Sequence, residues 1–282
     1  MVKVSVIIPF YNQNNDFLIQ ALTSALNQTL NDIEIICIND GSENLENINL
    51  VKNIQKQDNR VKLINIEHQG SGIARNNGII ESSGKNIMFL DSDDYYPDID
   101  ILEKLYNIKT EEKVKIAGGK HLILNKERLE EPYFNFGNID EYFCNKKIKY
   151  LDYQFPWWYW CFMYDTDLMK ENNIFFPSFL RYQDPPFFVK IMYQAQIFYA
   201  ADFVTYIHRK SDRLFSLTPS LAYHHVKGIS EILTFSKEHH LNKLHKLLYD
   251  TFYNYDINLL ENIKNLSTIQ LYELIKIINN SN

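Results

Sequence analysis

The sequence predicts an α/β protein: a mostly parallel central sheet flanked by helices, with a C-terminal helical appendage. Two patterns carry this. From Val4 to Leu90, short β-branched runs alternate with stretches whose apolar residues recur at helical spacing, and beyond Ser216 only the helical spacing persists.

Val4 to Pro9 (VSVIIP) reads as a buried strand ending at a proline, followed by Phe17, Leu18, Ala21, Leu22, Ala25 and Leu26 along one helical face. Ile33 to Ile38 (IEIICI) is a second strand, closed by Asn-Asp-Gly-Ser, with a helix over 45–57 behind it. Val61 to Ile66 forms the third strand, Gly70 to Ser82 a helix, and Asn86 to Leu90 a fourth strand. Such alternation implies parallel crossovers, and ligands of such sheets bind beyond the carboxyl ends of the strands. From Glu111 to Tyr150 the pattern is weak, with short β-like pieces and the basic group Lys146, Lys147, Lys149. Leu241, Leu244, Leu247 and Leu248, then Leu259, Leu260 and Ile263, then Leu271, Leu274, Ile275 and Ile278, give helices with one apolar face.

The chain has 282 residues, 45% of them hydrophobic, enough for a sizeable core. Its net charge of -6 offers no electrostatic footprint for nucleic acid. Three cysteines at unrelated spacings suggest neither a disulfide framework nor a zinc motif. With no leader-like start and no long apolar run, a cytoplasmic protein is expected.

FLDSDDYYPD, Phe89 to Asp98, gathers four aspartates at the end of the fourth strand. Three explanations compete: a hard divalent cation, helix-capping hydrogen bonds, or solvation alone. Alone, a D-x-D tripeptide does not choose among them.

Five stretches resemble family 2 of the glycosyltransferases, in that family's order and spacing: VSVIIPFYN, SALNQT, IEIICINDGS, GIARNNGI and FLDSDD. The resemblance extends to about residue 210, and FPSFLRYQDPPFF (Phe176 to Phe188) is similar to the family's later E-D-x-x-F signature, with Gln183 where Glu is usual. It implies the GT-A nucleotide-diphospho-sugar transferase fold, a UDP-sugar donor and a Mn²⁺ or Mg²⁺ cofactor. By resemblance, Pro9, Phe10 and Tyr11 line the base slot, Asp40 hydrogen-bonds the base, and Arg75 faces the nucleotide. Asp91 serves the ribose or supports the metal, Asp93 is the metal carboxylate, and Asp184 is the general base. His208 is a candidate metal ligand and Arg209 a candidate phosphate clamp.

Each residue also has a plainer reading. Asp40 precedes Gly41 as a turn residue, Asp94 caps a turn, Arg75 is a surface arginine, and Asp184, before two prolines, is a helix cap. Gln183 removes one charge beside the base and, with Trp157, Trp158 and Arg209, belongs to an expected acceptor or diphosphate wall. The run Trp157 to Trp160 is either that wall or core.

A dinucleotide-binding protein is excluded because Gly70-Ser71-Gly72 meets Arg75 where a third glycine is needed. A nucleotidyltransferase would want a basic glycine-rich loop near the N-terminus. The expectation is a metal-dependent, inverting glycosyltransferase moving a hexose from a nucleotide sugar to a surface glycan of capsule, lipooligosaccharide or teichoic-acid type. Its alternative is an inactive nucleotide-sugar-binding or scaffold module. A lipid-linked acceptor would bring peripheral contact with the inner face of a membrane. Residues 1–215 form the expected catalytic domain, with nucleotide-binding (about 1–98) and acceptor-binding (about 99–215) halves, and 216–282 the helical region.

Overall fold

The computed structural model describes residues 1–132, 139–211 and 218–255. The expected boundary at 215/216 and the helical patterns beyond 255 lie outside the described residues.

In the first half, elements alternate as β1 (Val4–Phe10), α1 (Asn15–Leu26), β2 (Ile33–Asp40), α2 (Leu45–Gln57), β3 (Val61–Ile66), α3 (Ser71–Glu81) and β4 (Asn86–Phe89). β1 and β2 are buried along their whole lengths, which is why they read as continuous apolar runs. Asn14 caps α1 by accepting from the N–H groups of Asp16 and Phe17, and Leu18, Ala21, Leu22 and Ala25 face inward. α3 lies close on β1: a Cβ on Gly78 would stand 2.4 Å from Ile7 Cγ2.

The second half contains α4 (Ile101–Glu112), β5 (Ile116–Asn125), β6 (Arg128–Glu130), β7 (Lys146–Lys149), α5 (Tyr150–Tyr153), β8 (Phe162–Asp165), α6 (Thr166–Glu171), α7 (Asp184–Ala195) and β9 (Ile197–Arg209). Then come α8 (Pro219–Glu238) and α9 (Asn242–Tyr255). The strands form one sheet in the order β3-β2-β1-β4-β8-β5-β9-β7, with β6 beside β5. The β1–β2, β1–β4, β2–β3 and β5–β9 pairs are parallel; β4–β8, β5–β8, β5–β6 and β7–β9 are antiparallel. The sheet is therefore parallel from β3 to β4 and mixed beyond it, within the helix-flanked α/β architecture expected. Local helical crossovers made the parallel half legible, whereas β5 meets β9 across the whole acceptor half.

The opening between β1 and β4 follows from one proline. The Ile7 carbonyl accepts from Leu90 N–H at 3.0 Å, so by strand alternation Pro9 also faces the β4 side, where its missing N–H leaves nothing to pair. The two strands separate there. The aspartates after β4 line that gap.

Gly78→Ala is expected to lower unfolding free energy by about 1–3 kcal/mol through overpacking against Ile7. Urea denaturation checks this, with a reduced midpoint at unchanged slope.

Candidate active site

The gap holds a cavity of about 300 Å³. Pro9, Phe10, Tyr11, Asp40, Arg75, Asp91 and Asp93 all line it, with Gln13, His68, Gly70, Ser71 and Ser92. The expected base, ribose and metal residues thus converge from three strand ends, those of β1, β2 and β4, with Arg75 from α3. A second cavity, about 550 Å³, shares Tyr11, Gln13 and Asp93 with the first and is otherwise lined by Asn12, Phe17, Lys126, Arg209, Lys210 and Ser211.

One end of the first cavity is a flat slot. Tyr11 stacks on His68 with ring centroids 4.1 Å apart. Asp40, 3% exposed, accepts from the backbone N–H groups of Gln69 (2.8 Å) and Gly70 (2.9 Å). Its fixed role is to pin the loop after β3 to the end of β2, the turn role its sequence also allowed.

Arg75 forms the floor. It is 5% exposed, donates to Asp91 Oδ1 at 2.6 Å, and lies under the rings of Tyr159 and Phe176, 5.0 and 5.4 Å from their centroids. Its Nε and Nη1 are buried with no hydrogen-bond partner among the described residues. Burial opposes its charge, but Asp91 beside it and Asp184 nearby outweigh that and raise its pKa. A buried guanidinium with free donors is costly unless an acceptor arrives, and an anionic oxygen suits it.

The acidic tip divides its charges. Asp91 is held by Arg75 and by Tyr159 Oη at 3.2 Å, while its N–H donates to Tyr206 Oη. Asp94 is enclosed: it receives Tyr206 Oη at 2.8 Å and Arg209 N–H at 2.7 Å, with His208 Nδ1 at 3.2 Å. Its role is to fasten the tip to the end of β9, helped by the Tyr95–Ile207 bridge. Asp93 receives none of these donors. Burial, then the charges of Asp94 and Asp91, push its pKa up to about 6. It is the carboxylate left with negative charge to neutralise.

His208 adjoins the tip through its Nδ1 contact with Asp94, and its charge acts on Asp93. Burial disfavours its charge, but the Asp94 contact and the surrounding carboxylates prevail and raise its pKa. With Nδ1 directed to Asp94, Nε2 is the nitrogen available to a cation, the usual carboxylate–histidine arrangement at metal sites. The described residues contain no group of three metal-ligating side chains. Asp93 and His208 would offer one oxygen and one nitrogen, ligand types that a divalent cation sharing substrate phosphates accepts.

Asp184 opens α7, with Pro185 and Pro186 fixing the first turn. Gln183, its N-cap residue, makes no side-chain cap bond and instead donates to Ser71 Oγ at 2.9 Å. That places Gln183 beside Ser71, a residue of the first cavity's lining. Burial raises the Asp184 pKa and Arg75 pulls against it.

The aromatic run splits. Trp157 and Trp158 are partly buried beside Phe155, Trp158 stacked on it at 5.6 Å. Trp160 stacks on Tyr206 and His208, at 4.4 and 5.5 Å, and so backs the candidate cation site. Arg209 lines the second cavity with its guanidinium 4.0 Å from the Phe17 ring centroid and Nε donating to Asp93 O. His68, Gln13, Tyr159, Trp160 and Tyr206 were not singled out individually from sequence. His68 could have been found from its place beyond the carboxyl end of β3.

Residues 5–180 match the family model described as Glycosyl transferase family 2. The chain belongs to that family. It is 30% identical over 217 residues to a poly(ribitol-phosphate) beta-glucosyltransferase of Bacillus spizizenii, covering 74% of this chain and 33% of the relative. Staphylococcus aureus TarS 1–349, solved in complex with UDP-GlcNAc, superposes with a TM-score of 0.74 at 19% identity, covering 99% of this chain and 80% of TarS 1–349. The mannosyltransferase PcManGT of Pyrobaculum calidifontis, solved with GDP-Man and Mn²⁺, gives 0.65 at 13% identity, covering 97% and 79%. These superpositions show the GT-A-like fold that the motifs implied. The chain spans between 13% and 61% of the length of the curated relatives it matches. No described helix is long and apolar enough to cross a membrane.

The raised Asp93 pKa fixes a sign. Stability from its protonated form is present below about pH 4 and is lost as pH rises through about 6, so ionised Asp93 destabilises the metal-free protein at neutral pH. Asp93→Asn should therefore raise the metal-free melting temperature at pH 7.5, with the gain shrinking toward pH 4; thermal scans across that range check it.

Proposed function

We propose that the protein is a metal-dependent, inverting glycosyltransferase that moves a hexose from a nucleotide sugar, UDP-linked, to a hydroxyl of a surface glycan. The observation that carries this reading is Arg75, a buried cation with free donors between the aromatic slot and Asp93. The nucleobase lies against Tyr11, with Asp40 available to its polar edge, and Asp91 meets the ribose.

Around Asp93 the chain must neutralise a departing diphosphate. A divalent cation held by Asp93 and His208 would supply most of that neutralisation. Lys126, Lys210 and Arg209, lining the second cavity beyond Asp93, add positive charge on the same side. Asp184, whose charge acts on Arg75 and Asp91, takes the proton of the acceptor hydroxyl as that oxygen attacks the anomeric carbon on the face opposite the leaving group. Base and leaving group on opposite sides of the sugar make a single in-line displacement, which inverts the anomeric configuration.

The acceptor assignment to capsule, lipooligosaccharide or teichoic-acid chains is supported by the poly(ribitol-phosphate) relative and rests on analogy. Lys146, Lys147 and Lys149 are exposed on the edge strand β7 while Ile148 points inward, a surface suited to peripheral contact with anionic lipid.

Calorimetry should show Mn²⁺-dependent UDP binding that Arg75→Ala weakens about 10–100-fold, the loss expected for charge-assisted hydrogen bonds. Asp184→Asn should retain UDP affinity and lower turnover of a UDP-hexose by about 10²–10⁴-fold. Unchanged turnover in Asp184→Asn would exclude it as the base.

A further inference from the structure

The segment that delivers Asp184 is held from two sides. Residues 177–183 lie between Phe176 and α7, outside any named helix or strand. From α3, Asn76 brackets Phe176, donating to its carbonyl and accepting from its N–H, both at 2.8 Å. From α8, His224 Nδ1 accepts the Leu180 N–H at 3.1 Å, and the His225 ring lies 4.6 Å from that of Tyr182. Tyr182 has φ of 62°, left-handed and unfavourable for a bulky side chain, so its surroundings must impose it. Gly228 of α8 is what lets them: a Cβ there would stand 2.6 Å from the Tyr182 carbonyl oxygen.

We propose that α8 is a positioning element for the general base: His224 and Gly228 hold the left-handed turn at Tyr182 that aims Asp184 at the donor cavity. The inference rests on the reading of Asp184 as base. After Tyr182 the chain has little freedom before reaching that carboxylate, because Gln183 is tied to Ser71 and the prolines fix the start of α7. Burial, and then Lys227, lower the His224 pKa, which keeps its imidazole neutral and able to accept. The helix expected to be an appendage becomes part of the catalytic apparatus.

The test compares His224→Ala, which removes the acceptor, with His224→Asn, whose amide oxygen can stand in for Nδ1. Amide hydrogen exchange over 177–188 should quicken several-fold in His224→Ala and return to wild type in His224→Asn. UDP release from a panel of UDP-hexoses with Mn²⁺, which needs no known acceptor because water can serve, should fall about tenfold and recover in the same order. UDP affinity should be unchanged throughout. Wild-type exchange in His224→Ala would overturn the proposal, as would faster exchange with undiminished UDP release. Gly228→Ala should act like His224→Ala and supplies a second variant should the first fail to fold. If wild type binds UDP but releases it from no donor, the glycosyl-transfer reading fails, and the role of α8 as a positioning element for that base falls with it.

Discussion

Three carboxylates within four residues, Asp91, Asp93 and Asp94, cannot all remain charged at a strand tip unless each is held differently. Arg75 holds Asp91, and the end of β9 encloses Asp94 with Tyr206, His208 and the Arg209 N–H. The repulsion is thereby concentrated on Asp93. The rest of the site is arranged around that residue, with a nucleoside-sized cavity on one side and a cationic one on the other.

The same partition joins the two halves of the molecule. β4 belongs to the parallel half and β9 to the mixed half, and they are not neighbours in the sheet. Asp94 links them beyond their ends, while Trp160 stacks beneath Tyr206 and His208 and Tyr159 reaches Asp91. Removing Asp94 would leave three donors without their acceptor in a buried place, a cost of a few kcal/mol by order of magnitude. A change there would act on architecture and chemistry together. Asp93 offers the contrast, because burial and its neighbours' charges make its ionised form a burden on the fold.

Much of this was legible in the sequence where the determinants are local. β1 to β4 and their helices announce themselves by burial on both faces and by helical spacing, and the residues singled out at the ends of β1, β2 and β4 line one cavity. The acceptor half was harder to read. β5 begins Ile-Ala-Gly-Gly, which reads as a turn, and its partner β9 lies far along the chain. In the aromatic run, composition could not say that Trp160 and Tyr159 face the site while Trp157 and Trp158 pack beside Phe155. Gln183 read as a lost charge, yet its amide bonds Ser71, a contact set by how α7 meets α3. The role of α8 was invisible for the same reason: it depends on one glycine meeting one carbonyl across the fold.

The most direct test of the partition is anomalous diffraction at the manganese edge from crystals grown with UDP and Mn²⁺. One peak should lie within coordinating distance of Asp93 and His208 Nε2, with Arg75 still on Asp91, Asp94 still enclosed, and phosphate oxygens completing the shell. A peak on Asp91 or Asp94, or UDP bound in the cavity with no manganese near Asp93, would contradict it.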